Sequence, residues 1–242
     1  MGAVLGTAAR LAMLMAVIGA SGFAVAGNFA LSPLRVSLAP GKTIDSLTLR
    51  NEGDEPAVMQ IEMVEWRQQA GEDLMVPTRE VLATPPIFTV APKATQIIRV
   101  GLRRAPATDQ ELSYRMFLQE VLPPPREGVL GLQVALRLSL PVFVNPAQAV
   151  RPVLQWKAVA GGPGMTRLHL TNSGTSHIQM LQLKLARSDG EALDVEQAPV
   201  YVLPGQSRQW TIRQEVAAGS TLRLAARSDT GDISADVLVD RP

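Results

Sequence analysis

Between Gly131 and Pro146, apolar residues take every second position: Leu132, Val134, Leu136, Leu138, Leu140 and Val142 alternate with Gln133, Ala135, Arg137, Ser139 and Pro141. A period of two sustained this far is incompatible with a helix and predicts a β-strand with one strongly apolar face. The run is long beside the usual strand of about 5–6 residues. Pro141 and Pro146 punctuate its end. Proline cannot donate to a β-ladder, so its place in a sheet is an edge, a strand end or a bulge. A core strand with its apolar side turned inward satisfies the pattern. So does an edge strand, whose long apolar edge would invite another chain to pair with it. Periodicity leaves both readings open.

The rest of the chain is organised in the same way. Ile44, Leu47 and Leu49 mark a strand over 43–50, and Met59, Ile61 and Met63 alternate with Gln60 and Glu62 in another that runs to Trp66. Residues 70–80 read as a loop or ragged hairpin, 96–102 and 114–121 as strands, and 29–38 as one extended segment carrying Arg35. Gly and Pro punctuate the turns between them, as in Asn51-Glu-Gly-Asp-Glu-Pro56 and the loop Pro123 to Gly128. A second block of short strands begins near Trp156 and includes 178–186, 200–203, 208–212, 221–225 and 233–239. Strands ending in Asn51-x-Gly53 and Asn172-x-Gly174 suggest one turn chemistry used in two sandwiches. Turn signals every 8–12 residues predict an all-β protein of two immunoglobulin-like sandwiches, 27–145 and 146–242.

Residues 1–26 stand apart. Arg10, the apolar run Leu11 to Ala20 and Ala24-Val25-Ala26 form the three parts of a cleavable secretory signal peptide. The mature chain is expected to be exported and soluble, with no later segment apolar enough to span a membrane. Its lack of cysteine excludes disulfides, thiol nucleophiles and thiolate metal sites. With 23 basic and 22 acidic residues the net charge is +1, and no dense basic cluster or aromatic series points to nucleic acid.

No catalytic constellation emerges. His169 and His177 are the two histidines, and they read as surface or turn residues, too few for a zinc site. The mature chain carries no G-x-S-x-G, H-E-x-x-H, P-loop or EF-hand pattern. The reading is therefore a non-enzyme without cofactor or metal. What remains is recognition by backbone and charge. Arg35, Arg99, Arg115 and Arg137 all lie in or beside strands, and an Arg fork donates two parallel hydrogen bonds to a carboxylate. Solvated outer faces and ion pairs explain the same residues.

Asn51-x-Gly-Asp-x-Pro56, Gln96-Ile-Ile-Arg-Val100, Tyr114-Arg-x-Phe-Leu-x-Glu-Val121, Leu132-Gln-Val-Ala-Leu136 and Pro141-Val-Phe-Val-Asn-Pro146 occur in that order. Taken together, they resemble the PapD-like periplasmic chaperones of the chaperone–usher pathway, in a divergent, archaic-type form. The resemblance implies two sandwiches around a cleft and a periplasmic chaperone that binds, folds and caps pilus subunits. It implies delivery of these subunits to an outer-membrane usher. By donor-strand complementation, Leu132, Val134, Leu136, Leu138 and Leu140 would fill the open groove of an incomplete subunit. At about 1.5–3 kcal/mol per buried side chain, five such residues would supply on the order of 10 kcal/mol before ordering costs. The resemblance also implies a cleft Arg and Lys that anchor the subunit's terminal carboxylate. The Arg matches Arg35, but the Lys position holds Pro141. Arg99, Arg115 and Arg137 are the candidates for the second charge. An unpaired edge could also be covered by a second copy of the chain. The alternative is a secreted structural or adhesive module of two sandwiches, which has no use for a long apolar edge.

Overall fold

Alternating apolar residues and short Gly/Pro turns produce strands and no helix in the computed structural model, which describes residues 28–104, 108–123, 133–195 and 199–241. Ten strands form the first unit: β1 (Phe29–Ser32), β2 (Val36–Leu38), β3 (Ile44–Asn51), β4 (Ala57–Gln69), β5 (Glu72–Pro77), β6 (Val81–Thr84), β7 (Ile87–Val90), β8 (Thr95–Leu102), β9 (Leu112–Val121) and β10 (Arg137–Val144). They make a sheet of order β1-β3-β8-β6 and another of order β2-β10-β9-β4-β5, with β7 beside the first part of β4. Inward residues of both sheets, among them Leu38, Leu49, Met59, Ile98, Met116, Leu118 and Val142, form one buried core.

Eight strands form the second unit: β11 (Leu154–Ala160), β12 (Thr166–Asn172), β13 (Ile178–Arg187), β14 (Ala192–Leu193), β15 (Val200–Val202), β16 (Ser207–Ile212), β17 (Thr221–Ser228) and β18 (Gly231–Asp240). β18 pairs along its length with β17, and its last residues run parallel to β11, joining the two layers. A separate core, including Leu168, Leu170, Ile178, Ile212 and Leu222, lies between them. The all-β fold of two sandwiches holds.

Three local expectations are refined. The segment 29–38 is two strands, not one: β1 pairs with β3 in one sheet, and β2 crosses to lie parallel to β10 in the other. The ragged stretch after Gln69 is a hairpin, β4–β5, turned by Ala70 and Gly71 at φ 52° and 85°, a conformation glycine adopts without steric cost. The two Asn-x-Gly turns share one bonding pattern. Asn51 Oδ1 accepts from Gly53 N at 2.9 Å while its amide nitrogen donates to Glu55 O and Val90 O at 2.7 and 3.2 Å. Asn172 does the same with Gly174 N, Ser176 O and Val202 O at 3.0, 2.7 and 3.1 Å. Both asparagines are buried, and each satisfies backbone groups that a loop would otherwise leave orphaned. At Gly174 a β-carbon would overlap the backbone of Arg151 and Val153.

Candidate functional site

β10 is built in two parts. Along Arg137–Val144 one side pairs with β9. The other side is covered by β2, but only at Val142–Val144. Two bonds fix which groups face which way. Glu120 N donates to Leu136 O at 2.8 Å, so even-numbered residues turn their backbone toward β9; Asn145 N donates to Leu38 O at 2.8 Å, so odd-numbered residues turn theirs toward β2. Below β2, therefore, Arg137 and Ser139 present N–H and C=O groups along an edge that no strand covers among the described residues. Pro141, without an N–H, sits where the covered part begins.

The predicted apolar residues divide accordingly. Leu140 is 2% exposed and belongs to the chain's own core, and Leu138 packs partly against it. Leu136 is half-buried and Val134 is 52% exposed. Regular strand pairing begins at Arg137, later than the alternation suggests. Leu132 lies outside the described residues.

The four arginines are also separated. Arg99 lies on β8, exposed on the outer face of the other sheet, opposite Ser46 and Thr84. Arg137 lies over the Phe117 ring at 4.2 Å, with Glu62 at 3.4 Å. Arg115 and Arg35 come together. Arg115 is the direct cross-strand partner of Pro141. The β2–β10 register sets Val36 opposite Val142, which brings Arg35 to the level of Pro141 on the other side. The position lacking the expected cation is thus flanked by two. The Arg115 guanidinium lies 3.8 Å above the Trp66 ring and 5.4 Å from that of Tyr201. Burial lowers its pKa, partly offset by Asp73 and Tyr201, but an arginine stays charged. No ion-pair partner holds Arg115 among the described residues, and its Nε is unbonded. Arg35 reaches across to the second unit and binds Asp229 at 2.9 Å. Tyr201 sits between these charges. Burial raises its pKa, and Arg115 and Arg35 act against that rise.

These residues border the joint between the sandwiches. Trp66, Phe143 and Leu203 form a small buried cluster with Tyr201, centroid distances running from 5.2 to 6.2 Å among the three rings. Gln68 donates to Tyr201 O at 2.9 Å and accepts from Leu203 N at 3.0 Å; Arg208 donates to Gly71 O at 2.9 Å. Sequence reading misses this cluster, because its members stand far apart in the chain and no motif links them. It also misplaces His177, which is a half-buried residue of the joint; His169 lies apart on β12, facing Lys157 and Gln209 across the ladder.

Residues 28–150 match the pili and flagellar-assembly chaperone family, PapD N-terminal domain, and residues 149–237 match its partner, the pili assembly chaperone PapD C-terminal domain. The chain belongs to the PapD family of pilus-assembly chaperones. Solved structures share this family's fold. One is the CsuC–CsuE chaperone–tip adhesion subunit pre-assembly complex from archaic chaperone–usher Csu pili of Acinetobacter baumannii (20% identity, TM-score 0.67, 89% of this chain and 99% of that one). Others are the Escherichia coli chaperone DraB (20%, 0.63, 89% and 98%) and the Salmonella enterica SafA pilin in complex with the SafB chaperone (17%, 0.59, 87% and 94%). No curated protein matches the sequence. Among the described residues no group of three or more metal-ligating side chains occurs, and no helix is long and apolar enough to cross a membrane.

Proposed function

We propose that this PapD-family chain binds pilus subunits by lending them the uncovered part of β10, and delivers them to an outer-membrane usher. The observation that carries the reading is the edge itself: an apolar, extended segment whose outward backbone groups at Arg137 and Ser139 have no strand beside them among the described residues. Most proteins avoid such an edge, and strand addition uses it. Burial in the free chain supports a narrower set of inserted side chains than the alternation alone. Leu140 is already in the chain's own core, so it anchors the strand; Val134 and Leu136, with Leu132 and the free part of Leu138, are the ones to be inserted. Each would contribute about 1.5–3 kcal/mol on full burial.

In this reading Arg35 and Arg115 receive the subunit's terminal carboxylate on either side of Pro141. Arg115 supports it best as the second charge, since no ion pair holds it among the described residues and it is already partly desolvated, whereas Arg137 is paired with Glu62 and Arg99 lies on another face. The same proposal includes removal of residues 1–26 on export to the periplasm, units of 27–145 and 146–242, and cover of the edge by a second copy when no subunit is present.

Co-expression of the whole chain with pilin-like subunits tests the reading. A stoichiometric complex is expected, lost in the Val134→Glu/Leu136→Glu variant and weakened in Arg115→Ala. A complex that survives the double change would overturn strand donation. Failure of every candidate subunit to co-purify would favour the structural-module alternative.

A further inference from the structure

Beside the arginines, the joint contains a second polar arrangement that subunit binding does not explain. The His177 side chain is only 10% exposed, and it lies between two carboxylates from different sandwiches. Glu111, just before β9, is 3% exposed, and its Oε1 accepts from His177 N at 3.1 Å and from the ring Nδ1 at 2.7 Å. On the other side of the ring, Nε2 lies 3.4 Å from Asp229 Oδ2, a charge contact with no hydrogen bond formed. Asp229, in the β17–β18 turn, accepts from Gln179 N at its Oδ1 at 2.9 Å and binds Arg35 through Oδ2, the same oxygen that faces His177. One face of the ring is closed as well. Phe143 of β10 stacks on it at 3.6 Å with 7° between planes, and the Tyr201 ring is 5.8 Å away. Glu111 N also donates to Thr175 O, a second tie between the units.

The geometry distinguishes the protonation states. A neutral imidazole donating from Nδ1 would satisfy Glu111 but would point the lone pair of Nε2 at a carboxylate. A doubly protonated ring presents N–H to both acids, and it supplies the cation that a buried Glu111 requires. We propose that His177 is a proton-operated latch that fixes the angle between the two sandwiches, closed when the imidazole is charged and slack when it is neutral. The proposal needs no subunit and stands apart from strand donation.

The direction of the pH dependence follows. Burial opposes the charge on His177, but Asp229 and Glu111 outweigh it and raise the imidazole pKa above its ordinary value. A raised pKa means that the folded joint binds the proton more tightly. Its contribution is fully present below about 6.5, the unfolded value, and is lost as pH rises through the folded pKa. Asp229 sets the acid limit. Burial works against its charge, but His177, Gln179 N and Arg35 hold its pKa below the usual range. Its contribution is present above about 3.9 and is lost as pH falls through the folded value. Because Arg35 depends on the same carboxylate, the latch also governs how firmly that guanidinium is held.

The chain has no cysteine, so the spin-label pair Thr95→Cys and Lys184→Cys, one exposed position in each unit, reports the distance between sandwiches in the full-length mature chain. The expected result is a narrow distance distribution at pH 5.5 that broadens as pH rises, with a midpoint matching the His177 titration followed by NMR above about 6.5. His177→Gln should be broad at both ends of the range, Asp229→Asn should bring the His177 titration down, and His169→Gln should behave as the unmodified chain. Circular dichroism checks that each variant is folded; if His177→Gln is not, the Asp229→Asn shift and the unmodified chain's own profile decide. A His177 that stays neutral down to pH 5.5, or a distribution that does not change while His177 titrates, would overturn the latch.

Discussion

The lower half of β10 alternates apolar and polar residues, its upper half from Pro141 to Val144 is apolar throughout, and the two have opposite environments. At Val142–Val144 the strand has β9 on one side and β2 on the other, core beneath it, and the joint with the second sandwich above it at Phe143. Below Pro141 the same strand keeps β9 but loses β2, and its side chains run from buried Leu140 through half-buried Leu138 and Leu136 to exposed Val134. An alternating pattern reports which face of a strand is apolar. Whether both edges of that strand are paired depends on partners elsewhere in the chain. The closed half is committed to the fold. The open half is available, and it is held extended by the closed half.

Substitutions should separate the two. The largest loss is expected for Leu140→Ala, about 2–5 kcal/mol by urea unfolding, since the removed atoms leave a cavity in the core. At about 2–4 °C per kcal/mol for a chain of this size, the melting temperature falls accordingly. The backbone gives a sharper contrast within adjacent residues. Leu138→Pro removes a bond to β9 and should cost about 1–3 kcal/mol through the unpaired buried partner, whereas Ser139→Pro removes an N–H that faces the open edge and should leave stability almost unchanged. Equal losses for the two prolines would show that the lower edge is not free. Arg115→Met should cost about 1 kcal/mol, through the lost cation–π contact with Trp66. Val134→Ala should be the smallest, within about 0.5 kcal/mol, as for other exposed positions. A larger effect there would mean that the end of the segment is packed in the free chain.

Much of this fold was legible because its signals are local. Period two marks Met59, Ile61, Leu168 and Leu170 as inward residues, and the Asn-x-Gly turns disclose themselves in both sandwiches because asparagine bonds its own neighbourhood. The site was legible in part. The long alternation pointed to β10, and the missing cation at Pro141 directed attention to other arginines. The exchange of β1 for β2 between sheets was not legible, since Val36 meets Val142 only through long-range pairing. Nor was the preference for Arg115 over Arg137, which rests on cross-strand register. His177 was unreadable for the same reason. Its acid partner Glu111 is 66 positions away, and a histidine after a Gly turn looks like a surface residue until the other sandwich is placed over it.

The central claim is that the lower edge of β10 is free in the isolated chain and becomes paired with a subunit. Amide hydrogen exchange at single-residue resolution tests it directly. In the free chain Arg137 and Ser139 should exchange fast while Leu138 and Leu140, bonded to β9, are protected; in a purified chaperone–subunit complex Arg137 and Ser139 should become protected too. Fast exchange at those two amides in a complex that is demonstrably formed would contradict strand donation and would place subunit binding elsewhere on the molecule.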